Sequence, residues 1–361
     1  MADGFAPRDY TVGGPSAQTA LERGLVNAAW YRSPVPRARL KQLLKRSNGR
    51  TLRDTAIWLA LFLVTGGAGA ALWGSWWAVP FFAAYGVLWG SSSDSRWHEC
   101  GHYTAFETRW MNDLVYHLAS FMILREPTVW RRSHQRHHTD TIIVGRDPEL
   151  PAPRPPNLRT VALSFLGLPQ LRVYVRRLAR HAAGRIGPEE RSFIPEEDFA
   201  KVHWEARAHI AAYLGVAALA AATESALPFL YVGLPSLYGA WLYVLTGLTQ
   251  HAGLAEDVLD HRLNTRTVYM NPVVRFLYWN MNYHVEHHMF PMVPFHALPA
   301  LHEEMKSDTP RPYAGFLEAY REIVPTLVRQ VREPGYFAVR KLPEGAGRPE
   351  AAPAGEATAA Q

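Results

Sequence analysis

Two long uncharged stretches dominate the hydrophobic pattern of this chain. No charged residue occurs from Thr55 to Ser93, and Glu224 is the only one from Ile210 to Gln250. Each stretch is close to twice the roughly 20 residues that cross a bilayer as a helix, and each has a break near its middle. We therefore predict an all-α integral membrane protein with two transmembrane hairpins. The four predicted spans cover about residues 56–73, 78–93, 208–223 and 227–249.

A buried helix pair in a soluble protein is the alternative interpretation of these stretches. The first stretch alone has 39 uncharged residues, which exceeds what a helix pair in a globular core needs. Tryptophans near the predicted ends, such as Trp73, Trp76 and Trp89, are typical of the membrane interface, where aromatic rings anchor spans. The pattern thus favours membrane hairpins.

Basic residues set the predicted orientation. Residues 21–54 carry nine Lys or Arg against two acidic residues, whereas neither hairpin turn carries any. Because cytoplasmic segments are enriched in Lys and Arg, we expect the N terminus to be cytoplasmic. An even number of spans then places the segment between the hairpins and the C-terminal segment on the same side.

These boundaries divide the chain into four predicted regions. They are a basic cytoplasmic segment at 1–54, a membrane domain at 55–302, a cytoplasmic helical segment at 303–343 and a disordered tail at 344–361 that is rich in Ala, Gly, Pro and Glu. Residues 160–180 have an amphipathic pattern with Arg172, Arg176, Arg177 and Arg180, which suits either a helix on the membrane surface or a solvated helix of a cytoplasmic cap.

Composition excludes several classes of function. The net charge of +6 is explained by basic residues beside the membrane, and because these are dispersed among acids we expect no nucleic-acid partner. Cys100 is the only cysteine, which excludes disulfides, iron–sulfur clusters and cysteine-rich zinc modules. We interpret it as a small packing residue.

Histidines carry the strongest chemical signal. Half of the sixteen fall in three five-residue windows, which we call the histidine boxes. The boxes are His98 with His102, then His134, His137 and His138, then His284, His287 and His288. In a helix, positions i, i+3 and i+4 share one face, so each box offers a converging set of imidazoles. With His251, which follows the last apolar stretch, nine candidate ligands exceed the four of one zinc site and favour two metal ions.

Acidic and amide side chains near the boxes are candidates to orient the ligands. A metal-bound imidazole usually donates its second N–H to a carboxylate or carbonyl. The candidates for this role are Asp94, Glu99, Asp140, Asp147, Glu286 and Asn280, with Glu149 and Asp257 among further acids nearby. The histidines that we place outside the metal centre are His117, His181, His203, His209, His261, His296 and His302.

Two rival functions use the same residue types. The first box satisfies H-E-x-x-H, in which two histidines hold zinc and Glu99 would be the general base of a membrane protease. Such an enzyme needs only one further ligand, and Gly101 weakens the required helix. A metal transporter would carry its ligands inside the spans, but the predicted spans contain no box histidine.

The order HxxxH, HxxHH, HxxHH, interleaved with two hairpins, resembles the membrane fatty acid desaturase and hydroxylase superfamily from about Thr55 to His302. Two sequence motifs resemble those of bacterial members of this superfamily: WRRSH, which ends at His134, and NMNYHVEHHMFP, which ends at Pro291. The resemblance implies a non-haem centre of two iron ions held by the box histidines with His251 as an additional ligand, dioxygen as cosubstrate, and a bacterial inner-membrane location. The distribution of Lys and Arg places the active site and both termini on the cytoplasmic side.

We expect an oxygen-dependent oxidoreductase that places a double bond in a fatty acyl chain carried by a lipid, coenzyme A or acyl carrier protein. No dinucleotide fingerprint, haem-binding motif or iron–sulfur cysteine set occurs, so we expect a separate electron donor of the ferredoxin or cytochrome type with its reductase. A hydroxylase of the same superfamily and a desaturase of a small non-lipid metabolite stay open, with the zinc protease as a remote alternative.

Overall fold

A computed structural model describes residues 8–150 and 152–347. Within these residues the chain is helical, with two isolated β-bridges, Thr267–Tyr283 and Val268–Tyr313, and no strand. The all-α class is therefore confirmed for the described residues. Most of the predicted disordered tail, residues 348–361, lies outside them.

The α-helices of the described residues are numbered in chain order. They are α1 (Pro15–Glu22), α2 (Arg37–Leu43), α3 (Asn48–Ala71), α4 (Ala78–Gly86), α5 (Ser93–Gly101), α6 (Arg109–Met122), α7 (Pro127–Thr139), α8 (Leu158–Ser164), α9 (Leu168–Ala182), α10 (Pro188–Arg191), α11 (Phe199–Ala222), α12 (Leu227–Tyr231), α13 (Pro235–Tyr238), α14 (Trp241–His251), α15 (His261–Asn264), α16 (Pro272–Leu277), α17 (His284–Met289), α18 (Leu298–Met305) and α19 (Phe316–Arg332). A π-helix at Val87–Ser92 joins α4 to α5, and a 3₁₀ turn at Glu196–Asp198 precedes α11.

Within residues 8–150 and 152–347, two helical stretches are long and apolar enough to cross a membrane, α3 and the run Leu227–His251. Only 28% and 39% of their most apolar windows are buried inside the protein, whereas a core helix of a soluble protein would be mostly buried. Helix α3 begins at Asn48, earlier than predicted, because the Ser47 side chain caps it by accepting a hydrogen bond from the backbone N–H of Arg50.

The other two predicted spans are helical but more polar. The helix that starts at Ala78 continues through the π-helix into α5, where Asp94 and Arg96 follow. Helix α11 carries charged residues in its first half, among them Lys201 and Arg207. The structure thus provides two candidate spans, and the four-span arrangement stays a prediction.

The two hairpins meet just before the first box. An added Cβ on Gly239 would overlap the backbone of Gly86, so only glycine allows this approach. Ser91 Oγ donates to the carbonyl of Gly239 at 2.5 Å and accepts from the backbone N–H of Tyr243 at 2.8 Å. This contact ties the π-helix to α14 and brings the helices that carry the first box and His251 together.

Arg96 anchors α5 to its surroundings. Its side chain is fully buried, and its guanidinium lies 4.7 Å from the ring centroids of both Trp58 and Trp279. Stacking on two aromatic faces compensates this buried cation, which has no carboxylate partner among the described residues. Cys100, on the same helix, is fully buried in a hydrophobic cluster with Trp97 and Tyr116, as its predicted packing role requires.

The predicted amphipathic stretch at 160–180 forms two helices instead of one. Helices α8 and α9 are separated at Gly167, whose φ of 67° is left-handed and ends regular helix geometry. A Cβ on Gly167 would lie 3.0 Å from the carbonyl oxygen of Ser236, so α9 starts against the candidate span Leu227–His251.

A buried polar cluster fastens α9 to the start of α7. His181 is fully buried, and its Nδ1 lies 2.6 Å from Glu126, the residue that precedes α7, while its Nε2 lies 3.2 Å from Glu190. The pKa of His181 is raised overall. Burial acts to lower it, but the hydrogen bonds to Glu126 and Glu190 outweigh the effect of burial. Burial acts to raise the pKa of Glu190, but hydrogen bonds from His181 and Gly187 hold it at about 2.

We expect Glu190→Gln to lower the free energy of unfolding by about 3 kcal/mol near pH 6, because it leaves buried partners of a charge network unpaired. Stabilisation by Glu190 is present above its ordinary pKa of 4.5 and is lost as the pH falls towards 2. Stabilisation by protonated His181 is lost as the pH rises through its raised pKa. Thermal unfolding in detergent should therefore show the largest difference from wild type between about pH 5 and 6.5. The exposed neighbour Glu189→Gln is the control, and an equal effect of both substitutions would contradict the role of the cluster.

Candidate metal centre

Four separate segments deliver the nine candidate ligands. His98 lies in α5 and His102 is the residue that ends it, while the second box occupies the last turns of α7. The third box forms the short helix α17, and His251 is the last residue of α14. Within α7 and α17 the i, i+3, i+4 spacing turns the rings to one side, as predicted.

The nine candidate ligands gather in two adjacent groups. In the first group the potential ligand atoms of five histidines lie within 4.8 Å of one another, and in the second group those of three histidines do so. The first group is His98, His102, His134, His138 and His287, and the second is His137, His251 and His288. His284 joins the second group, because its Nε2 lies 3.2 Å from Nε2 of His251 and 3.1 Å from Nε2 of His288.

Distances within the first group fit a shared ion. Nε2 of His134 lies 3.0 Å from that of His102 and 3.1 Å from that of His138, which lies 3.2 Å from Nε2 of His287. When two nitrogens bind the same metal ion, each at about 2.1 Å, and the two metal–nitrogen bonds form a right angle, the nitrogens are about 3.0 Å apart. Both ring nitrogens of His98 are buried without a hydrogen-bond partner among the described residues. A metal ion held by the first group would satisfy one of these two nitrogens.

Electrostatics keep most of these rings neutral, which is the form that binds metal. Burial, reinforced by the neighbouring imidazoles, lowers the pKa of six box histidines well below the usual value and that of His102 to about 4. The six are His98, His134, His138, His284, His287 and His288. His137 differs. Burial acts to lower its pKa, but the charge of Asp147, the hydrogen bond to Asp147 and the charge of Glu149 together outweigh burial and raise the pKa.

Two carboxylates orient rings of the second box. Nδ1 of His137 lies 2.8 Å from Asp147 Oδ2, and Nδ1 of His134 lies 3.0 Å from Glu149 Oε2. Burial raises the pKa of Glu149 to about 7, and Ser133 Oγ donates to its other oxygen at 2.8 Å. When Nδ1 carries the proton and donates to the carboxylate, Nε2 is free to bind a metal ion.

Other rings are oriented by groups that sequence reasoning missed. Nδ1 of His251 lies 2.9 Å from the backbone carbonyl oxygen of Asn264, and Nδ1 of His288 lies 3.2 Å from Thr141 Oγ1. A carbonyl is present at every residue, so residue type gives no signal for it. Thr141 follows the second box by three residues, and that proximity was the only signal available.

Glu99 lies between the first and third boxes. It is fully buried, and its Oε1 lies 3.8 Å from Nδ1 of His287 and 4.0 Å from Nδ1 of His98. Its Oε2 accepts hydrogen bonds from Phe295 N at 2.9 Å and Thr104 Oγ1 at 3.1 Å. Burial raises the pKa of Glu99 to about 8. The side chain is thus held as a neighbour of the imidazoles.

Four other candidates have different partners, which corrects their predicted role as ring-orienting groups. Asp94 pairs with Arg125 at 2.7 Å, Asp140 with Arg146 at 3.0 Å, Glu286 with His302 at 2.5 Å, and Asn280 Oδ1 accepts from Arg275 at 2.9 Å. The side-chain oxygens of these four residues therefore contact partners outside the histidine boxes. Among the excluded histidines, His261 lies close by, with its ring 5.0 Å from that of His288, but it stacks on Trp30 and belongs to neither group.

Comparison with known proteins identifies the family. The model of the fatty acid desaturase family matches residues 74–320, which include all three boxes and His251. The chain belongs to the fatty acid desaturase family. The resemblance noted in the sequence is confirmed, and membership supports an oxidoreductase.

Curated relatives are named as desaturases. The chain is 26% identical over 341 residues to a probable fatty acid desaturase of Sorghum bicolor, a match that covers 87% of this chain and 77% of that protein. It is 35% identical over 86 residues to a Delta(12) fatty acid desaturase of Caenorhabditis elegans, a match that covers 20% of this chain and 23% of that protein. It is 40% identical over 50 residues to an sn-1 acyl-lipid omega-3 desaturase (ferredoxin) of Nostoc sp., covering 14% of each. Membership of the fatty acid desaturase family favours an oxidoreductase over the zinc protease alternative.

Proposed function

We propose that this protein is an oxygen-dependent membrane desaturase that introduces a carbon–carbon double bond into a fatty acyl chain at a centre of two non-haem iron ions. The convergence of nine imidazoles from four segments into two adjacent groups carries this proposal. Relatives named as acyl-lipid desaturases support an acyl substrate.

The histidine groups define which residues would hold the ions. The first group would hold one ion, and the second group with His284 would hold the other. Imidazole suits iron, and a pair of iron ions supplies the dioxygen chemistry that removes two hydrogens from adjacent carbons. The protein's own part is placement: Asp147 and Glu149 fix the tautomers of two ligands, and burial of the rings excludes water.

We propose four membrane crossings, formed by α3, α4 with the π-helix, the second half of α11, and Leu227–His251. Trp76 and Trp77, which are 90% and 75% exposed in the first hairpin turn, suit the membrane interface. His98 follows the second of these spans and His251 ends the fourth, and their meeting in one centre requires both span ends on one side. The Lys and Arg distribution favours the cytoplasmic side.

An external electron donor belongs to the same proposal. Reduction of dioxygen to two waters takes four electrons, of which the substrate supplies two when a double bond forms. A donor of the ferredoxin or cytochrome type, with its reductase, would supply the other two on the cytoplasmic face. One relative carries ferredoxin in its name, which supports the first type.

Iron-loaded protein in lipid, given dioxygen and a ferredoxin system, should convert acyl chains to products lighter by two hydrogen atoms, as measured by mass spectrometry. Omission of the donor should stop repeated turnover. A product heavier by one oxygen atom would identify a hydroxylase. Mass spectrometry also compares the polar metabolites of cells with and without the protein. A change in polar metabolites with no change in acyl chains would contradict the proposal that the substrate is an acyl chain.

A further inference from the structure

The segment of residues 8–33 lies against loops that surround the second metal group, and we call it the N-terminal strap. It precedes residues 74–320, which match the family model, so membership of the family assigns it no role. The strap packs on the loop that carries Asp147, where the backbone N–H of Gly13 donates to the carbonyl oxygen of Gly145 at 2.9 Å. A Cβ on Gly145 would lie 2.5 Å from a backbone nitrogen of α1, so only glycine allows this contact. The strap thus supports the loop whose carboxylate orients a ligand of the second group.

The short helix α15 supports the other side of the second group. Its first residue, His261, is buried, and the ring of His261 lies 5.0 Å from that of His288. The backbone carbonyl oxygen of its last residue, Asn264, lies 2.9 Å from Nδ1 of His251. Both His251 and His288 belong to the second group. The position of α15 therefore determines how these two rings face a metal ion.

The end of the strap holds α15 in place. The ring of Trp30 stacks on that of His261, with the ring centroids 4.3 Å apart and the planes 7° from parallel. Nε1 of Trp30 also donates to the backbone carbonyl oxygen of Thr139, the last residue of α7, at 3.1 Å. The backbone N–H of Tyr31 donates to the carbonyl oxygen of Leu259 at 2.9 Å, just before α15 begins. Trp30 therefore bridges the end of α7 and the start of α15.

A buried cation fastens the strap to α15 a second time. Arg262 is fully buried, and its guanidinium lies 3.6 Å from the centroid of the Tyr31 ring and 3.0 Å from Asp308. Asp308 also accepts hydrogen bonds from the Tyr31 hydroxyl at 2.9 Å and from Ser33 Oγ at 2.5 Å. A guanidinium that pairs with a carboxylate and stacks on an aromatic ring makes a strong contact when it is buried. The end of the strap is thus anchored to α15 even where Trp30 is replaced.

We propose that the N-terminal strap is part of the metal centre and that Trp30 is a positioning residue for its second group. Trp30 fixes the ring of His261, and with it the start of α15, so that His251 and His288 face the same ion. The first group is oriented by other residues, such as Glu149, so the loss of Trp30 weakens the binding of the second ion alone. This inference rests on the proposed centre of two iron ions, and it assigns one of these ions to a segment outside the family match.

The test measures the affinity of each ion by competition with a chelator, on iron-loaded full-length protein in detergent without oxygen. Trp30→Leu keeps an apolar side chain but removes the flat ring. It should lower the affinity of the second ion about tenfold, at the lower end of the range for residues behind metal ligands, and leave that of the first ion unchanged. Trp30→Phe keeps the stack on His261 and should recover most of the loss. His251→Ala, which lacks a ligand of the second group, identifies which affinity belongs to the second ion.

A spectroscopic signature and a packing control separate positioning from stability. Mössbauer spectra of the ferrous protein should change at one of the two iron sites in Trp30→Leu and at neither site in Val26→Ala. Val26 is the matched control, because it packs against the same hydrophobic cluster as Trp30 but has no ring to stack on His261. The unfolding temperatures of both metal-free variants measure the lost packing directly.

Three results would overturn the inference. They are an unchanged affinity of the second ion in Trp30→Leu, an equal weakening of both ions in that variant, and an equal effect of Val26→Ala. Two ions in the wild type together with any of these results would reject the role of Trp30 alone. Fewer than two ions in the wild type would instead reject the proposed centre, and the inference with it.

Discussion

Replacement of His134 by alanine is expected to remove one of two bound iron ions and to lower desaturation by more than about 100-fold. This loss exceeds the 10- to 100-fold that is typical when a residue that only hydrogen-bonds to a metal ligand is replaced. His134 lies close to two other members of the first group, with the Nε2 atoms of His102 and His138 within 3.1 Å of its own Nε2. Its loss therefore opens the coordination of that ion. Iron content per chain by elemental mass spectrometry and product by lipid analysis check this outcome.

Two comparisons separate loss of a ligand from loss of the fold. His203→Ala lies in α11, outside both histidine groups, and should retain two ions and full activity. His251→Ala should instead lose the ion of the second group and keep the ion of the first group. The two variants should therefore each lose a different ion. Two ions per chain in His134→Ala would contradict the assignment of the first group.

The convergence of the boxes could be predicted because it depends on simple geometry. Helical spacing puts His134 and His138 on one face, and an even number of spans puts the ends of both hairpins on one side of the membrane. His251 could be included only because it directly follows an apolar stretch. The structure brings all of these rings together. The inference that both hairpins end on one side of the membrane depends on an even number of spans, and the number of spans is a proposal.

The partners that orient each ring could not be predicted, because they depend on the path of a loop. Asp140 is only two residues beyond His138 and was the nearest acid, but it turns towards Arg146. The chain then bends at Ile142, with φ of 56°, and returns Asp147 to His137. Sequence spacing does not contain this reversal.

The extension of the helix beyond the second apolar stretch could not be predicted from hydropathy either. The end of the second span was placed at Ser93, where charge begins, but the helix continues unbroken to Gly101. Arg96 is tolerated there because Trp58 and Trp279, which are distant in sequence, enclose its guanidinium. Hydropathy marks where charge begins, whereas the helix end depends on tertiary partners.

Replacement of Asp147 by asparagine is expected to lower iron affinity and desaturation by about 10- to 100-fold, the range typical of partners that orient metal-bound histidines. The amide keeps the shape of the side chain but has one acceptor oxygen. The backbone N–H groups of Ile142 and Glu149 each lie 2.8 Å from a different carboxylate oxygen in the wild type, so only one of them keeps its acceptor. The substitution removes the negative charge that makes His137 a more basic ligand. Competition with a chelator measures iron affinity directly, and the unfolding temperatures of the metal-free variant and metal-free wild type measure the cost of the lost backbone hydrogen bond separately. Asp140→Asn is the matched control, because its carboxylate pairs with arginine and contacts no box histidine in the described residues. Equal losses of iron in both variants would show that charge in this loop, and not the hydrogen bond to His137, governs the site.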